Sequence, residues 1–300
     1  VAGLGIFFAT LLGFVMGVAR LSNTWIVSKV ATVYIEIFRN IPLLLQIFFW
    51  YFAVLAALPG VRQSMSLGAG VEFNNRGLYL PSPVPEDGFS IIGWLFVIGI
   101  IATVFLARWA HKRQEDTGQQ FPVFFSALGL IFGLPLVVFL LMGSPLSWDY
   151  PTLKGFNFQG GISIIPELLA LLLALTIYTG TFIAETVRAG INAVSHGQTE
   201  AAMALGFTRG KTMRLIIIPQ AMRVIIPPLT SQYLNLAKNS SLATAIGYPD
   251  IVAVFMGTTL NQTGQAVEIT MMTMGVYLTI SLTISMFMNW FNKRMALVER

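Results

Sequence analysis

Long apolar runs, each closed by a short polar stretch, organise this chain from end to end. The first run is Val1 to Ala19, and it stops at Arg20. A mixed segment from Leu21 to Arg39 leads into a second run, Ile41 to Leu58. Gly60 to Asp87 is polar, with prolines at 81, 83 and 85, and reads as an extramembrane loop. Phe89 to Leu106 is apolar and precedes the charged stretch ARWAHKRQED. Phe121 to Met142 is apolar again, and Gly143 to Gly160 reads as a loop carrying Trp148, Asp149 and Lys154. Ile162 to Ala184 follows, then the polar, helix-prone Glu185 to Arg214. Leu215 to Ile246 is apolar but interrupted by Pro219, Pro227, Pro228, Asn235 and Lys238. Val267 to Phe291 is the last run. A helix crossing a bilayer needs about 20 mostly apolar residues. The pattern therefore predicts an all-α integral membrane fold of about seven spans.

Composition agrees. The chain is 55% apolar and 10% charged, with mean hydropathy +0.74, whereas soluble domains carry about 25% charged residues. Basic residues set the orientation. One set of alternating loops holds Arg20, Arg108, Lys112, Arg113, Arg188, Arg209, Lys211, Arg214, Lys293, Arg294 and Arg300. The other holds Arg62, Arg76 and Lys154. The first set is expected in the cytoplasm, which puts the C-terminus inside and Val1 outside. These residues flank membrane spans and form no single stripe, so nucleic acid is not an expected partner; membrane lipid is. There is no cysteine, and His111 and His196 stand far apart with no H-E-x-x-H spacing, so no metal or cofactor is expected. The sequence starts at Val1, inside an apolar run, and an N-terminal piece is expected to precede it.

One short stretch, GFTRGKT (Gly206 to Thr212), looks at first like a nucleotide-binding loop. Its spacing fails: the first glycine of such a loop would have to stand at Leu205. A phosphate loop also follows a buried strand, whereas EAAMAL precedes Gly206 and is rich in helix formers. The isolated chain is expected to bind no nucleotide and to be no enzyme. Instead, Ser195 and Gln198 have the spacing of a capping box, Gly206 suits a left-handed helix stop, and Thr208 suits the cap of a second helix. A cytoplasmic helix–turn–helix of this kind is either a connector lying on the membrane or a docking knob for a soluble partner.

EAAMALGFTRGKTMRLIIIP, Glu200 to Pro219, resembles the EAA motif of ABC importer permeases. Glu200, Ala201, Ala202, Gly206, Ile216 and Pro219 fall in register, and Ile218 stands where the motif has leucine. YIEIFRNIPLLLQIFFWY (Tyr34 to Tyr51), AETVRAGINAVSHGQTEAA (Ala184 to Ala202) and LNLAKNSSLATAIG (Leu234 to Gly247) are similar to permeases of polar amino acids, with Asn40 and Ile41 replacing the usual Gly-Thr. The resemblance covers residues 1–58 and 161–300, implying a five-helix permease core in two parts. Residues 59–160 insert two extra spans, as in a permease of the general L-amino acid importers. The polar loop Gly60 to Asp87 would face outside, either receiving a substrate-delivering protein or padding the lipid face. The resemblance further implies a bacterial inner-membrane location and L-amino acids as cargo. It implies an ATP-binding cassette ATPase dimer that seats Glu200, Ala201, Ala202 and Gly206 as a coupling helix. A periplasmic or extracellular amino-acid-binding protein and a sister permease would complete the system.

Polar residues inside spans are candidates for a substrate path. Asn235 and Lys238 share a helix face at i and i+3. Lys238 either meets the α-carboxylate of an amino acid or pairs with a carbonyl or snorkels. Gln46 lines the same path or makes an interhelical hydrogen bond. Ser240 and Ser241 adjoin the path. Pro227 and Pro228 are expected to break their helix and free carbonyls for a cavity. Gly13 and Gly17 make a G-x-x-x-G packing face, Glu185 and Arg188 a local pair, and Arg223 can snorkel. Two other classes fit less well. A secondary transporter favours central carboxylates, and Glu167 and Glu268 lie near span ends. An intramembrane enzyme would need a G-x-S-x-G, paired aspartates or clustered histidines, none of which is present.

Overall fold

A computed structural model describes residues 1–295; Arg300, counted above among the basic residues, lies outside them. In chain order the helices are α1 (Ala2–Arg20), α2 (Trp25–Asn40), α3 (Leu43–Phe48), α4 (Phe89–Thr117), α5 (Val123–Leu128) and α6 (Leu134–Leu141). They continue with α7 (Pro166–Asn192), α8 (His196–Ala204), α9 (Arg209–Thr212), α10 (Ile218–Asn239), α11 (Leu260–Thr263) and α12 (Ala266–Met295). π-helical turns extend α3 through Phe49–Leu55, join α5 to α6 through Gly129–Gly133, and join α9 to α10 through Met213–Ile217. Six stretches among the described residues are long and apolar enough to cross a membrane. A seventh is available if α2 and α3, bent by 105° at their junction, count as one crossing.

That bend departs from the pattern. The run Ile41 to Leu58 yields helix only over Leu43–Leu55, about 20 Å at 1.5 Å per residue and short of a bilayer. The mixed segment before it is itself a helix. The break falls at Ile41, which is extended (φ −91°, ψ 128°) because Pro42 follows and disfavours the helical region for its predecessor.

The two polar loops are also folded, and the second runs on as strand through Ile162–Ile164, so the span expected from Ile162 becomes helix only at Pro166. They form β1 (Met65–Gly68), β2 (Val71–Asn74), β3 (Gly77–Leu80), β4 (Ser82–Pro85), β5 (Leu146–Asp149), β6 (Thr152–Lys154), β7 (Asn157–Gln159) and β8 (Ile162–Ile164). One sheet has the order β1-β2-β3-β8, and β4–β5 and β6–β7 are separate antiparallel pairs. Pro83 and Pro85 sit in β4 opposite Trp148 and Leu146. In a two-stranded ribbon every strand is an edge, where proline is tolerated.

The chain divides into two compact units. One comprises Val1–Pro59, Asn75–Gly77 and the chain from Ile164 onward; the other comprises Gly60–Asn74 and Leu78–Ser163. The second unit holds most of the small sheets and a helical hairpin, α4 against α5–α6. Gly99 of α4 lies where a Cβ would strike the Leu130 carbonyl, and Phe96 and Phe132 meet edge to face at 5.7 Å.

The core of the first unit is the crossing of α1 on α7. Gly5, Ala9, Gly13 and Gly17 are the buried residues of α1, spaced four apart. A Cβ at Gly13 would lie 2.5 Å from the Ile183 Cβ, and one at Gly17 would lie 2.7 Å from the Ala184 carbonyl. The expected packing face is therefore real, and it packs on Ile183, Ala184 and Val187, all buried. Small residues let two backbones approach where no hydrophobic effect drives helices together. Tyr34 of α2 donates to the Ile177 carbonyl at 2.8 Å, and the Thr10 and Tyr233 hydroxyls bond at 2.9 Å, tying α2 and α10 to the same pair.

Candidate functional site

The helix–turn–helix after α7 forms by local rules. The Ser195 hydroxyl caps α8 by accepting from the Gly197 N–H at 3.2 Å. The reciprocal arm of the expected capping box is not made. Gln198 Oε1 instead accepts from Gln220 Nε2 at 3.4 Å, bridging to α10. At the other end Gly206 adopts φ +81°. Its N–H donates to the Met203 carbonyl at 2.9 Å, and the Phe207 N–H donates to the Ala202 carbonyl at 3.0 Å. This bond pair is a Schellman stop, which needs a left-handed residue at Gly206. Thr208 occupies the cap position of α9, but its side chain makes no capping bond. The turn presents Glu200, Ala201 and Leu205 outward, with Leu205 78% exposed. Ala202 points the other way and is buried. α8 packs on the Met213–Ile217 turn.

α10 carries the polar span residues. It is one helix through Pro227 and Pro228, not a broken one. Each proline still lacks the N–H that would reach back four residues, so the Arg223 and Val224 carbonyls lose those partners. Ala221, Ile225, Ile226, Leu229, Leu236 and Ala237 are buried. Val224, Pro227, Pro228, Ser231, Asn235 and Lys238 are exposed at helical spacing and form one stripe. Ser231 was missed in the sequence, although stepping back four residues from Asn235 would have found it. Lys238 makes no ion pair among the described residues.

Ser240 and Ser241 lie in the 3₁₀ turn that ends α10. Their hydroxyls donate to the Ala237 and Lys238 carbonyls at 2.8 and 2.7 Å. Their oxygens remain acceptors. Gln46 is enclosed, 3% exposed, and its Nε2 donates to the Phe38 and Ile41 carbonyls at 2.8 and 2.9 Å. Those carbonyls lie at the α2–α3 bend, which Gln46 braces; its Oε1 is buried without a partner.

Charge outside this stripe forms a network that sequence spacing shows only in part. Glu185 bonds Arg188 at 2.9 Å, the local pair expected from i and i+3, but it also bonds Arg20 of α1. Arg20 in turn reaches Glu36 of α2 at 3.3 Å. Four side chains thus join three helices. No sequence signal links Arg20 or Glu36 to Glu185, because that juxtaposition is tertiary.

A chain of several candidate spans with a capped helix–turn–helix between two of them is a multi-pass membrane component. The match to a family model is direct: residues 116–297 fit "Binding-protein-dependent transport system inner membrane component", and the chain belongs to that family. Its relatives are permease subunits. It is 58% identical over 300 residues to the putative amino-acid ABC transporter permease YhdX of Escherichia coli K12, covering all of this chain and 76% of that protein. It is 55% identical over 300 residues to the general L-amino acid transport system permease AapQ of Rhizobium johnstonii, covering all of this chain and 75% of the relative. The permease BztB of the glutamate/glutamine/aspartate/asparagine transport system of Rhodobacter capsulatus is 44% identical over 314 residues, with 94% of this chain and 73% of that protein covered. In fold the chain is similar to the crystal structure of an amino acid ABC transporter with histidines. That match has a TM-score of 0.55 at 20% identity and covers 98% of this chain and 88% of the other.

Proposed function

We propose that this chain forms the translocation path of an ATP-driven importer of L-amino acids in a bacterial inner membrane, with its C-terminus in the cytoplasm. One observation carries the reading: identities of 58% and 55% to amino-acid permeases along the whole chain. The EAA register of Glu200 to Pro219 supports it. ATP is hydrolysed by a separate dimer of cassette subunits. An amino-acid-binding protein delivers cargo from outside, and a sister permease completes the membrane part.

In this reading α8 is the coupling helix. Glu200, Ala201 and the exposed Leu205 face the ATPase, Ala202 seats α8 on its own chain, and Gly206 sets the angle to α9. The exposed stripe of α10 lines the path. Lys238 holds the α-carboxylate of the cargo, Asn235 and Ser231 offer hydrogen bonds below it, and the Ser240 and Ser241 oxygens accept at its outer end. Gln46 shapes the path by holding the α2–α3 bend, leaving its Oε1 to accept from a polar guest. The test is co-purification with uptake competition. ATPase subunits should accompany the tagged chain, and several L-amino acids should compete for uptake. A chain that purifies without ATPase subunits and transports no amino acid would sink the reading.

Lys238→Met is expected to reduce uptake while leaving assembly intact. A charge-assisted hydrogen bond contributes about 1.5–3 kcal/mol, so uptake should fall roughly tenfold to a hundredfold. Initial rates in proteoliposomes check this, and unchanged uptake across several amino acids would leave Lys238 a structural role only. Excision of residues 59–160 behind a short linker is expected to preserve membrane insertion, because two extra spans leave every other span in its original direction. Reduced uptake at a fixed concentration of binding protein would assign delivery to the inserted unit. Loss of insertion would make that unit part of the permease core.

A further inference from the structure

We propose that Arg223 is a second, inner carboxylate station on α10, taking the α-carboxylate of an amino acid after Lys238 releases it. The proposal rests on the reading of this chain as an amino-acid permease. Arg223 is half-buried, and its Nε is enclosed with no acceptor. The ion pairs among the described residues do not include it. An enclosed Nε–H without an acceptor is costly, and no ion pair among the described residues neutralises the charge it belongs to, so an anion from outside the chain suits the group.

Position favours the cargo as its source. Arg223 precedes Lys238 by fifteen residues on one continuous helix, which places it about 22 Å further along the axis and about 60° round it. It thus borders the stripe of Ser231, Asn235 and Lys238. Gly190, near the end of α7, packs closely on Ile225 and the Ala221 carbonyl, on either side of Arg223 in sequence. With α8 in the cytoplasm, that level is the inner end of the path. Two cations at opposite ends of one polar stripe allow a carboxylate to be captured outside, passed along Asn235 and Ser231, and held again before release. The planar guanidinium grips a carboxylate through two parallel bonds, which a lysine cannot reproduce.

The experiment uses the assembled importer with its binding protein and ATPase, carrying Arg223→Gln or Arg223→Lys, and L-glutamine as probe. In proteoliposomes the Gln variant should lose about tenfold or more of its maximal uptake rate, with the half-saturating concentration little changed because outer capture is intact. The Lys variant should lie between it and the unmodified protein. In lipid-free detergent and without the binding protein, the amount of labelled L-glutamine held at saturation should fall in the Gln variant. A defect seen in liposomes but absent from detergent binding would assign the anion to a lipid phosphate and overturn the proposal. Loss of a subunit on purification would assign it to an acidic side chain of a partner, with the same consequence. Full uptake by the Gln variant would likewise overturn it. If the unmodified complex takes up no amino acid, the functional reading itself has failed, a result distinct from all of these.

Discussion

Gly206→Val is expected to yield a permease that inserts, assembles with its ATPase and transports little. The reason is conformational. Nothing lies within 4 Å of the position a Cβ would take, so there is room for a side chain. The backbone, however, sits at φ +81°. An L-residue there costs roughly 1–2 kcal/mol, and a β-branched one is a genuine outlier. The strain is relieved by giving up the bonds from Gly206 and Phe207 to the Met203 and Ala202 carbonyls, and α8 then leaves the last turn at a different angle. α8 has only nine residues and one capping side chain, Ser195, so little else restores that angle. ATPase activity and uptake should be measured together on the reconstituted complex. Hydrolysis that persists while uptake falls tenfold or more would locate coupling in this turn. Normal uptake by a stably expressed Gly206→Val protein would remove the coupling role. Gly206→Asn is the control, since asparagine tolerates the left-handed region and should retain most of the transport.

Gly13→Leu is expected to abolish folded protein. At Gly13 a Cβ would stand 2.5 Å from the Ile183 Cβ and 3.0 Å from the Gly180 carbonyl. Both neighbours belong to or adjoin the α7 backbone, so no rotamer change makes room and the two helices must part. Overpacking a core usually costs about 1–3 kcal/mol. Here the loss is larger, because α1 and α7 form the central crossing onto which α2 and α10 are also bonded. The measurement is the yield of monodisperse protein in mild detergent. Gly3→Leu is the comparison, since nothing lies within 4 Å of that position and yield should be normal. Equal yields from the two variants would show that the glycine stripe is not the organising contact.

The charge network adds a constraint that neither variant touches. Arg20, Glu36, Glu185 and Arg188 fasten α1, α2 and α7 at one level. The α2–α3 bend is held by Gln46 through two backbone carbonyls. Backbone released by a bend at membrane depth has no water to fall back on and must find partners within the protein.

What the sequence determined by itself is whatever short-range chemistry or membrane solvation decides. Apolar run length marked six crossings, though not the bent pair at Ile41, since a helix must satisfy its own backbone across about 30 Å of hydrocarbon. The stop at Gly206 and the cap at Ser195 were legible for the same local reason, because each depends on a few adjacent residues. The glycine stripe of α1 was readable as a packing face, but its partner was not. Only the tertiary structure decided that Ile183 and Ala184 of α7 fill it, that Arg20 reaches Glu185, that Gln198 turns to Gln220, and that Gln46 braces a bend. It also revealed β-structure in segments that read as loops, where strands of three or four residues give too short an alternation to detect. The helix-to-helix pairings join residues far apart in the chain, while Gln46 and the hairpins depend on a turn whose geometry the pattern does not record; helical periodicity records which face is special without recording what that face will meet.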